Sequence, residues 1–260
     1  MRERLDVAVV RRGLAETRER AHALILAGSV TVDGAAATRP ALSVEPTAAV
    51  ELIDRGPDYV SRGALKLEEA LDTWAIDPAG KVIVDVGAST GGFTDLLLRR
   101  GAARVYAVDV GYGQLHYKLR SDPRVVSMER TNIRHLTALP ERPALAVIDV
   151  SFISLRLALP RVFDLVDEQI VALIKPQFEA GRGQVGKGGV VRDPAVHRQV
   201  LAELTAWSAT QPWRLVDVVE SPIKGPAGNV EFLSRWLPRD AIQRPGAVAG
   251  NNANEVSQEC

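Results

Sequence analysis

Residues 82–93 read Val-Ile-Val-Asp-Val-Gly-Ala-Ser-Thr-Gly-Gly-Phe, an apolar run that breaks into a glycine-rich turn and then enters a helical pattern. Glycine is suited to such a turn because it lacks the Cβ that penalises left-handed backbone. A strand feeding a helix this way is half of a βαβ unit, and the chain beyond Lys81 repeats the pattern. Strand-like runs are expected at Val82–Val86, Val105–Val108, Val125–Met128, Ala144–Ile148, Ile170–Ile174, Leu215–Val219 and Val230–Trp236. Between the last of the parallel candidates and the final pair, Asp193-Pro194 sets a capping residue before a first-turn proline, which opens a helix. Strand and helix in alternation predict an α/β fold: a doubly wound, Rossmann-like, mostly parallel seven-stranded sheet with helices on both faces.

The chain ahead of this region is built differently. Leu5, Ala8 and Val9 have helical spacing; Thr17 can cap a second helix whose Ala21, Leu24 and Ile25 share a face, with Gly28 ending it. Val30-Thr31-Val32 and the turn Asp33-Gly34 then signal a hairpin. The expected organisation is a small α/β domain over residues 1–54, a linker over 55–61, a larger α/β domain over 62–239 that starts with a helix from Arg62 to Trp74, and a disordered tail over 240–260, where Gly, Asn, Ala and Gln replace periodicity. The charged N-terminus lacks the apolar run of a signal peptide, and no 18-residue apolar stretch is present, so the expectation is a cytoplasmic protein with no membrane association. The single cysteine, Cys260, is the last of 260 residues, which excludes a disulfide framework or thiol nucleophile within the larger domain. No metal site and no stable protein partner are expected.

The turn at residues 85–93 has the spacing DxGxSxGG, which departs from the GxGxxG of dinucleotide enzymes. An acidic residue at the strand end, Asp85, suits an amino-bearing ligand better than a phosphate, and the methionyl ammonium of S-adenosylmethionine meets that description. Asp85, Gly87, Ser89, Gly91 and Phe93 are therefore candidate cofactor contacts. Asp109, 24 residues after Asp85, ends the next strand and can accept both ribose hydroxyls of an adenosine. Asn132 follows the third strand on the adenine side, and Asp149, ending the fourth, completes the cofactor set. A nucleotide- or sugar-binding Rossmann domain remains the competing reading of these residues.

The acceptor atom narrows by chemistry. Cytosine C5 methylation needs a cysteine nucleophile, which this domain lacks. Exocyclic amines are usually methylated beside an Asp/Asn-Pro-Pro-aromatic loop, whereas the loop here is Asp149-Val150-Ser151-Phe152. A ribose hydroxyl needs a positioned base or strong orientation. Lys66, Asp149, Lys175 and Glu231 all fall at sheet-edge positions, where neighbouring lysines would depress each other's charge and the two acids would oppose that; two plain salt bridges are the alternative.

Net charge is zero, but Arg99–Arg134 holds eight Arg or Lys against three Asp or Glu, and Lys175–Arg198 five against two. Basic stretches of this kind hold phosphates as readily as they form a solvated face. In the small domain, Arg18, Ala21, Leu24, Ile25, Gly28, Val30, Val32, Asp33 and Gly34 resemble the pattern of the ribosomal protein S-four RNA-binding fold. Arg4, Arg11, Arg12, Arg18 and Arg20, together with Arg62, are the candidate RNA contacts.

Lys66, Asp149, Lys175 and Glu231 are similar to the Lys-Asp-Lys-Glu tetrad of FtsJ-like 2′-O-methyltransferases. The runs Ser61–Leu67, Asp85–Thr94, Asp109–Leu115, Asp149–Leu155, Lys175–Glu179 and Gly228–Glu231 resemble the TlyA (hemolysin A) family from about residue 4 to residue 237. The resemblance implies a class I methyltransferase fold, S-adenosylmethionine as cofactor, cytidine 2′-O-methylation of ribosomal RNA within ribosomal subunits, and Lys175 as the central catalytic residue. It also covers the Gly181–Gly189 stretch, which reads either as a lid or as a flexible surface loop. A non-catalytic RNA-binding assembly factor and a membrane-active haemolysin are the competing classes; the intact tetrad weighs against the first, and the absence of an amphipathic membrane segment against the second.

Overall fold

A computed structural model describes residues 2–26, 30–52 and 59–242. The expected helix stop at Gly28, residues 55–58 of the expected linker, and residues 243–260 of the expected tail, Cys260 included, lie outside the described residues. Contacts divide the chain into two compact units, Met1–Asp58 and Tyr59–Cys260.

In the first unit β1 (Glu3–Arg4) runs into α1 (Leu5–Arg11), followed by α2 (Arg18–Leu26), β2 (Val30–Val32), β3 (Ala35–Ala37), β4 (Ser43–Val44) and β5 (Val50–Leu52). The Thr17 hydroxyl accepts the Arg20 amide at 3.1 Å, capping α2 as its position predicts. Asp33 and Gly34 both take positive φ, 50° and 79°, the combination that closes a two-residue hairpin between β2 and β3. Strand β2 lies between β3 and β5, and β1 pairs with β4. The apolar faces of α1 and α2 close over this sheetwork through Leu5, Ala8, Val9, Ala21 and Ile25, with Val30, Val44 and Val50 from the strands.

The second unit begins with α3 (Ala64–Thr73). There follow β6 (Val82–Val86), α4 (Gly92–Arg99), β7 (Arg104–Val108), α5 (Tyr117–Arg120), β8 (Val125–Met128), β9 (Leu145–Ile148), α6 (Leu155–Leu165), β10 (Gln169–Ile174), α7 (Pro176–Glu179), α8 (Pro194–Ser208), β11 (Trp213–Glu220), β12 (Phe232–Pro238) and α9 (Arg239–Ile242). One seven-stranded sheet has the order β11-β12-β10-β9-β6-β7-β8. Strands β6 to β10 are mutually parallel, and β12 runs antiparallel between β10 and β11.

Alternation along the strands builds two cores. Ile83, Val105, Leu145, Val147, Val171 and Leu173 face α3 and α4, joining Leu67, Leu71, Leu96 and Leu97. Val84, Val86, Tyr106, Val108, Ile148 and Ile170 face the other way and join Leu155, Leu159, Val162 and Phe163 of α6 and Val200 and Leu204 of α8. Each fully buried aliphatic side chain of this kind contributes about 1.5–3 kcal/mol. The sheet has ligand-binding topology: successive strands run outward from β6 to β8 on one side and from β9 to β10 on the other. The strand order therefore reverses between β6 and β9, and the crevice beyond their carboxyl ends is where such sheets bind ligands.

Candidate active site

The turn after β6 is shaped by contacts within the protein. Gly87 has φ 88° and lines the crevice, but a Cβ there would collide with the main-chain carbonyl of Asp149, which closes β9 next door. Gly91, at φ 98°, precedes α4, and a Cβ would strike Leu119 and Leu115. The first glycine therefore permits two strand ends to approach, and the second permits the segment around α5 to pack on the turn. Ser89 also holds a left-handed φ of 48°, which points its amide at Asp109.

Asp109 is doubly anchored. Its Oδ2 accepts the Ser89 amide at 2.8 Å and its Oδ1 accepts the Gly111 amide at 2.7 Å. Each carboxylate oxygen has a second lone pair, so the group can still accept two hydroxyls. It lines a cavity of about 840 Å³ together with Gly87, Ser89, Gln114, Asn132, Ile133, Asp149 and Phe152. Asn132 caps the short 3-10 turn Ile133–His135, its Oδ1 accepting the Arg134 amide at 3.1 Å.

Two expected cofactor contacts sit elsewhere. Asp85 is 0% exposed, its Oδ2 accepts the Thr94 hydroxyl at 2.7 Å, and its other oxygen has no hydrogen-bond partner. Burial pushes its carboxyl up to about 7, with the charges of Asp149 and Asp109 acting the same way and the Thr94 hydroxyl opposing them. Its geometry ties β6 to α4 and does not offer the carboxylate to the large cavities. Phe93 is packed into the core beneath α3 and α4, with an edge on a small recess.

An adjoining cavity of about 730 Å³ shares Gly87, Ser89, Asp149, Ser151, Phe152, Gln177 and Phe178 with the first, and collects all four residues of the expected tetrad. Lys66 comes from α3, Asp149 and Lys175 from the ends of β9 and β10. Glu231 was expected to start the last strand; it lies one residue before β12. It reaches the same edge because β12 is antiparallel, so that its beginning neighbours the end of β10.

The tetrad forms two ion pairs. Lys66 Nζ donates to Glu231 Oε2 at 2.5 Å, both side chains being buried. Lys175 Nζ lies 2.5 Å from Asp149 Oδ1 and donates to Ser151 Oγ at 2.9 Å. Each ammonium thus touches a carboxylate, the arrangement anticipated as the alternative to mutual lysine repulsion. Gly225 packs its backbone against the Glu231 carboxylate.

Several further groups at the site lie in the runs that carry the family resemblance but have no individual signal of their role. Phe152 is 91% exposed at φ 64°, a conformation bulky residues rarely adopt, and its ring lies 5.1 Å from that of Phe178. Glu179 Oε2 accepts the Ser154 hydroxyl at 2.6 Å and its Oε1 accepts the Leu155 amide at 2.7 Å, joining α7 to the start of α6. Asn229, almost wholly buried, accepts the Val191 amide and donates to the Gly189 carbonyl, both at 2.9 Å. It thereby anchors one end of the glycine-rich stretch near Glu231.

The expected RNA contacts diverge. Arg4 and Arg18 both bond the buried carboxylate of Asp6, at 2.9 Å each, and His22 reaches the same oxygen at 2.8 Å. Hydrogen bonding from Arg4 foremost, with His22 and Arg18 adding to it, holds Asp6 well below the usual carboxylate range. Arg11 pairs with Glu3. Arg12 serves the fold, donating to the carbonyls of Ala48 at 2.6 Å and Pro46 at 3.1 Å. Arg20 is exposed on α2, and Arg62 is exposed at the cavity rim.

Residues 59–235 match the FtsJ-like methyltransferase family model, and residues 3–50 match the S4 domain model. The chain is 50% identical over 241 residues to the 16S/23S rRNA (cytidine-2′-O)-methyltransferase TlyA of Mycobacterium tuberculosis, covering 91% of this chain and 90% of the relative. It is 43% identical over 239 residues to Hemolysin A of Brachyspira hyodysenteriae, covering 90% and 99% of the two. A solved Streptococcus thermophilus chain, described as a candidate hemolysin, superposes with a TM-score of 0.72 at 43% identity, covering 92% of this chain and 89% of that one. With this fold, these two matched regions and relatives alike along nearly its whole length, the chain belongs to the TlyA (hemolysin A) family, in which an S4 domain precedes an FtsJ-like methyltransferase domain.

Proposed function

We propose that this chain transfers a methyl group from S-adenosylmethionine to the ribose 2′-hydroxyl of a cytidine in ribosomal RNA, acting in the cytoplasm on ribosomal subunits. The observation that carries this reading is the placement of Lys175, at the end of β10 in the 730 Å³ cavity, held between Asp149 and Ser151, which line both cavities. The 840 Å³ cavity fits the cofactor, because Asp109 keeps two acceptor positions free on a carboxylate fixed by backbone amides. Asp109 would take the ribose hydroxyls, Asn132 the adenine side, and the main chain around Gly87 and Ser89 the methionyl end. The bound cofactor would supply an electrophilic methyl group on a sulfonium.

The protein's own residues do the rest. Lys175 orients the acceptor oxygen and stabilises the negative charge that grows on it as its proton passes to solvent water in the open cavity. Asp149 holds the Lys175 ammonium in place. Lys66 and Glu231 form the second pair on the acceptor side, with Glu231 1% exposed and so fixed in position. The exposed Phe152 and the half-buried Phe178 present aromatic surface to a displaced base.

Residues 1–54 act as an RNA-binding domain and residues 62–239 as the catalytic one. The half-exposed Arg4 and Arg18 and the exposed Arg20 of the first domain, and Arg62 at the cavity rim of the second, are the phosphate contacts. The test is a labelled-methyl assay on free rRNA and on separated subunits, followed by mass spectrometry of the modified fragment. A methyl group on a ribose of cytidine is the expected product; a methylated base, or no transfer to any rRNA form, refutes the reading.

A further inference from the structure

Lys175 makes two contacts of different kinds. Its Nζ is 2.5 Å from Asp149 Oδ1, yet that oxygen is buried and has no aligned hydrogen-bond donor. The Asp149 contact therefore supplies charge but little direction. The aligned bond goes to Ser151 Oγ, at 2.9 Å. An ammonium has three N–H groups in fixed tetrahedral directions. One directed bond to a hydroxyl, added to one electrostatic contact, stops the group from turning about the Cε–Nζ axis and fixes where the third N–H points.

Ser151 is itself held rigidly for a loop residue. The next residue, Phe152, takes φ 64° and packs on Phe178. Three residues on, Ser154 and Leu155 are pinned by Glu179. The loop from Asp149 to Leu155 is thus fastened to the end of β10 and to α7 on both sides of Ser151. Ser151 is exposed and lines both cavities, so its hydroxyl stands where cofactor and acceptor would meet. Little packing depends on its side chain.

We propose that Ser151 is a positioning residue for Lys175, whose hydroxyl aims the ammonium at the acceptor oxygen. The proposal rests on the methyl-transfer reading above. Full-length Ser151→Ala should lower kcat for rRNA methylation by about tenfold or more, as misdirected catalytic groups do. Cofactor Kd and rRNA KM should stay within about twofold, the pattern of an interaction made only in the transition state. Ser151→Thr retains the hydroxyl and should restore kcat to within about threefold of the parent. A Ser151→Ala enzyme with parental kcat, a rise in KM alone, or a loss that Ser151→Thr does not repair would each overturn it.

A second measurement separates this proposal from the functional one. In protein labelled with 13C at lysine Cε, the Lys175 Cε resonance should move in Ser151→Ala, because the directed bond from Nζ to the serine hydroxyl is gone. An unchanged Lys175 signal overturns the positioning role whether or not the parent protein methylates rRNA. A parent protein that fails on all rRNA forms while this signal still moves refutes the function and leaves the Ser151–Lys175 contact standing.

Discussion

Asp85, within β6, and Gly87, in the turn after it, sit two residues apart, and the structure gives both a role different from the one their positions suggest. A buried carboxyl with its acidity pushed up to about 7 binds a proton that the unfolded chain releases near the usual carboxylate value. Its contribution to stability is fully present below about pH 4 and is lost as pH rises through about 7. Unfolding free energy should therefore decline over that interval by a few kcal/mol relative to Asp85→Asn, which keeps an acceptor for Thr94 and cannot ionise. Urea titrations of both proteins at a series of pH values check this, and parallel pH profiles would refute it. For Gly87, strain at φ 88° and collision with the Asp149 carbonyl act together. Gly87→Ala should cost about 1–3 kcal/mol in urea unfolding and also displace Asp149, lowering methyl transfer. Undiminished stability would mean that the two strand ends separate freely. The sequence marks both residues as belonging to a ligand turn, but cannot tell a glycine needed for a ligand from one needed for a neighbouring strand.

At the scale of elements, capping is tested most simply at α8, where Asp193 Oδ1 accepts the Ala195 amide at 2.8 Å. Asp193→Ala should lower stability by about 0.5–2 kcal/mol in the same urea assay, without altering cofactor affinity; no loss would mean that Pro194 alone starts the helix. The caps and the sheet were legible because their signals are local and periodic. Strands β6, β7, β8, β9 and β10 fall within a residue of where apolar runs put them, and Thr17 and Asp193 cap the helices they precede. Strands β1 and β4 were not legible, since Glu3-Arg4 and Ser43-Val44 are two-residue pieces with no alternation to read. Glu231 was placed in the last strand because Val230 and Phe232 flank it with apolar side chains; it stands outside, turned to Lys66. Ser151, Glu179 and Asn229 lie in runs that carry the family resemblance, but nothing in those runs says what each side chain holds. Their importance comes from partners 24, 25 and 38 residues away, respectively, which no local pattern encodes.

For the whole molecule, the proposed function assigns RNA binding to the first unit and methyl transfer to the second. Arg20 tests the first half more cleanly than Arg18, whose replacement would also disturb the buried Asp6. Arg20→Glu should weaken rRNA binding and flatten its salt dependence by about one unit of the log–log slope, leaving cofactor affinity unchanged. Equal slopes in filter-binding measurements would remove Arg20 from the interface. Lys175 bears most directly on the proposed chemistry, in which its ammonium at the end of β10 drives transfer to a ribose oxygen. Lys175→Ala should bind S-adenosylmethionine within a few-fold of the parent by calorimetry, because Asp109 and its backbone anchors are untouched. In the labelled-methyl assay on ribosomal subunits it should transfer no methyl group, while the parent places one on a cytidine 2′-oxygen; near-parental turnover by Lys175→Ala would show that the ammonium does not drive the transfer.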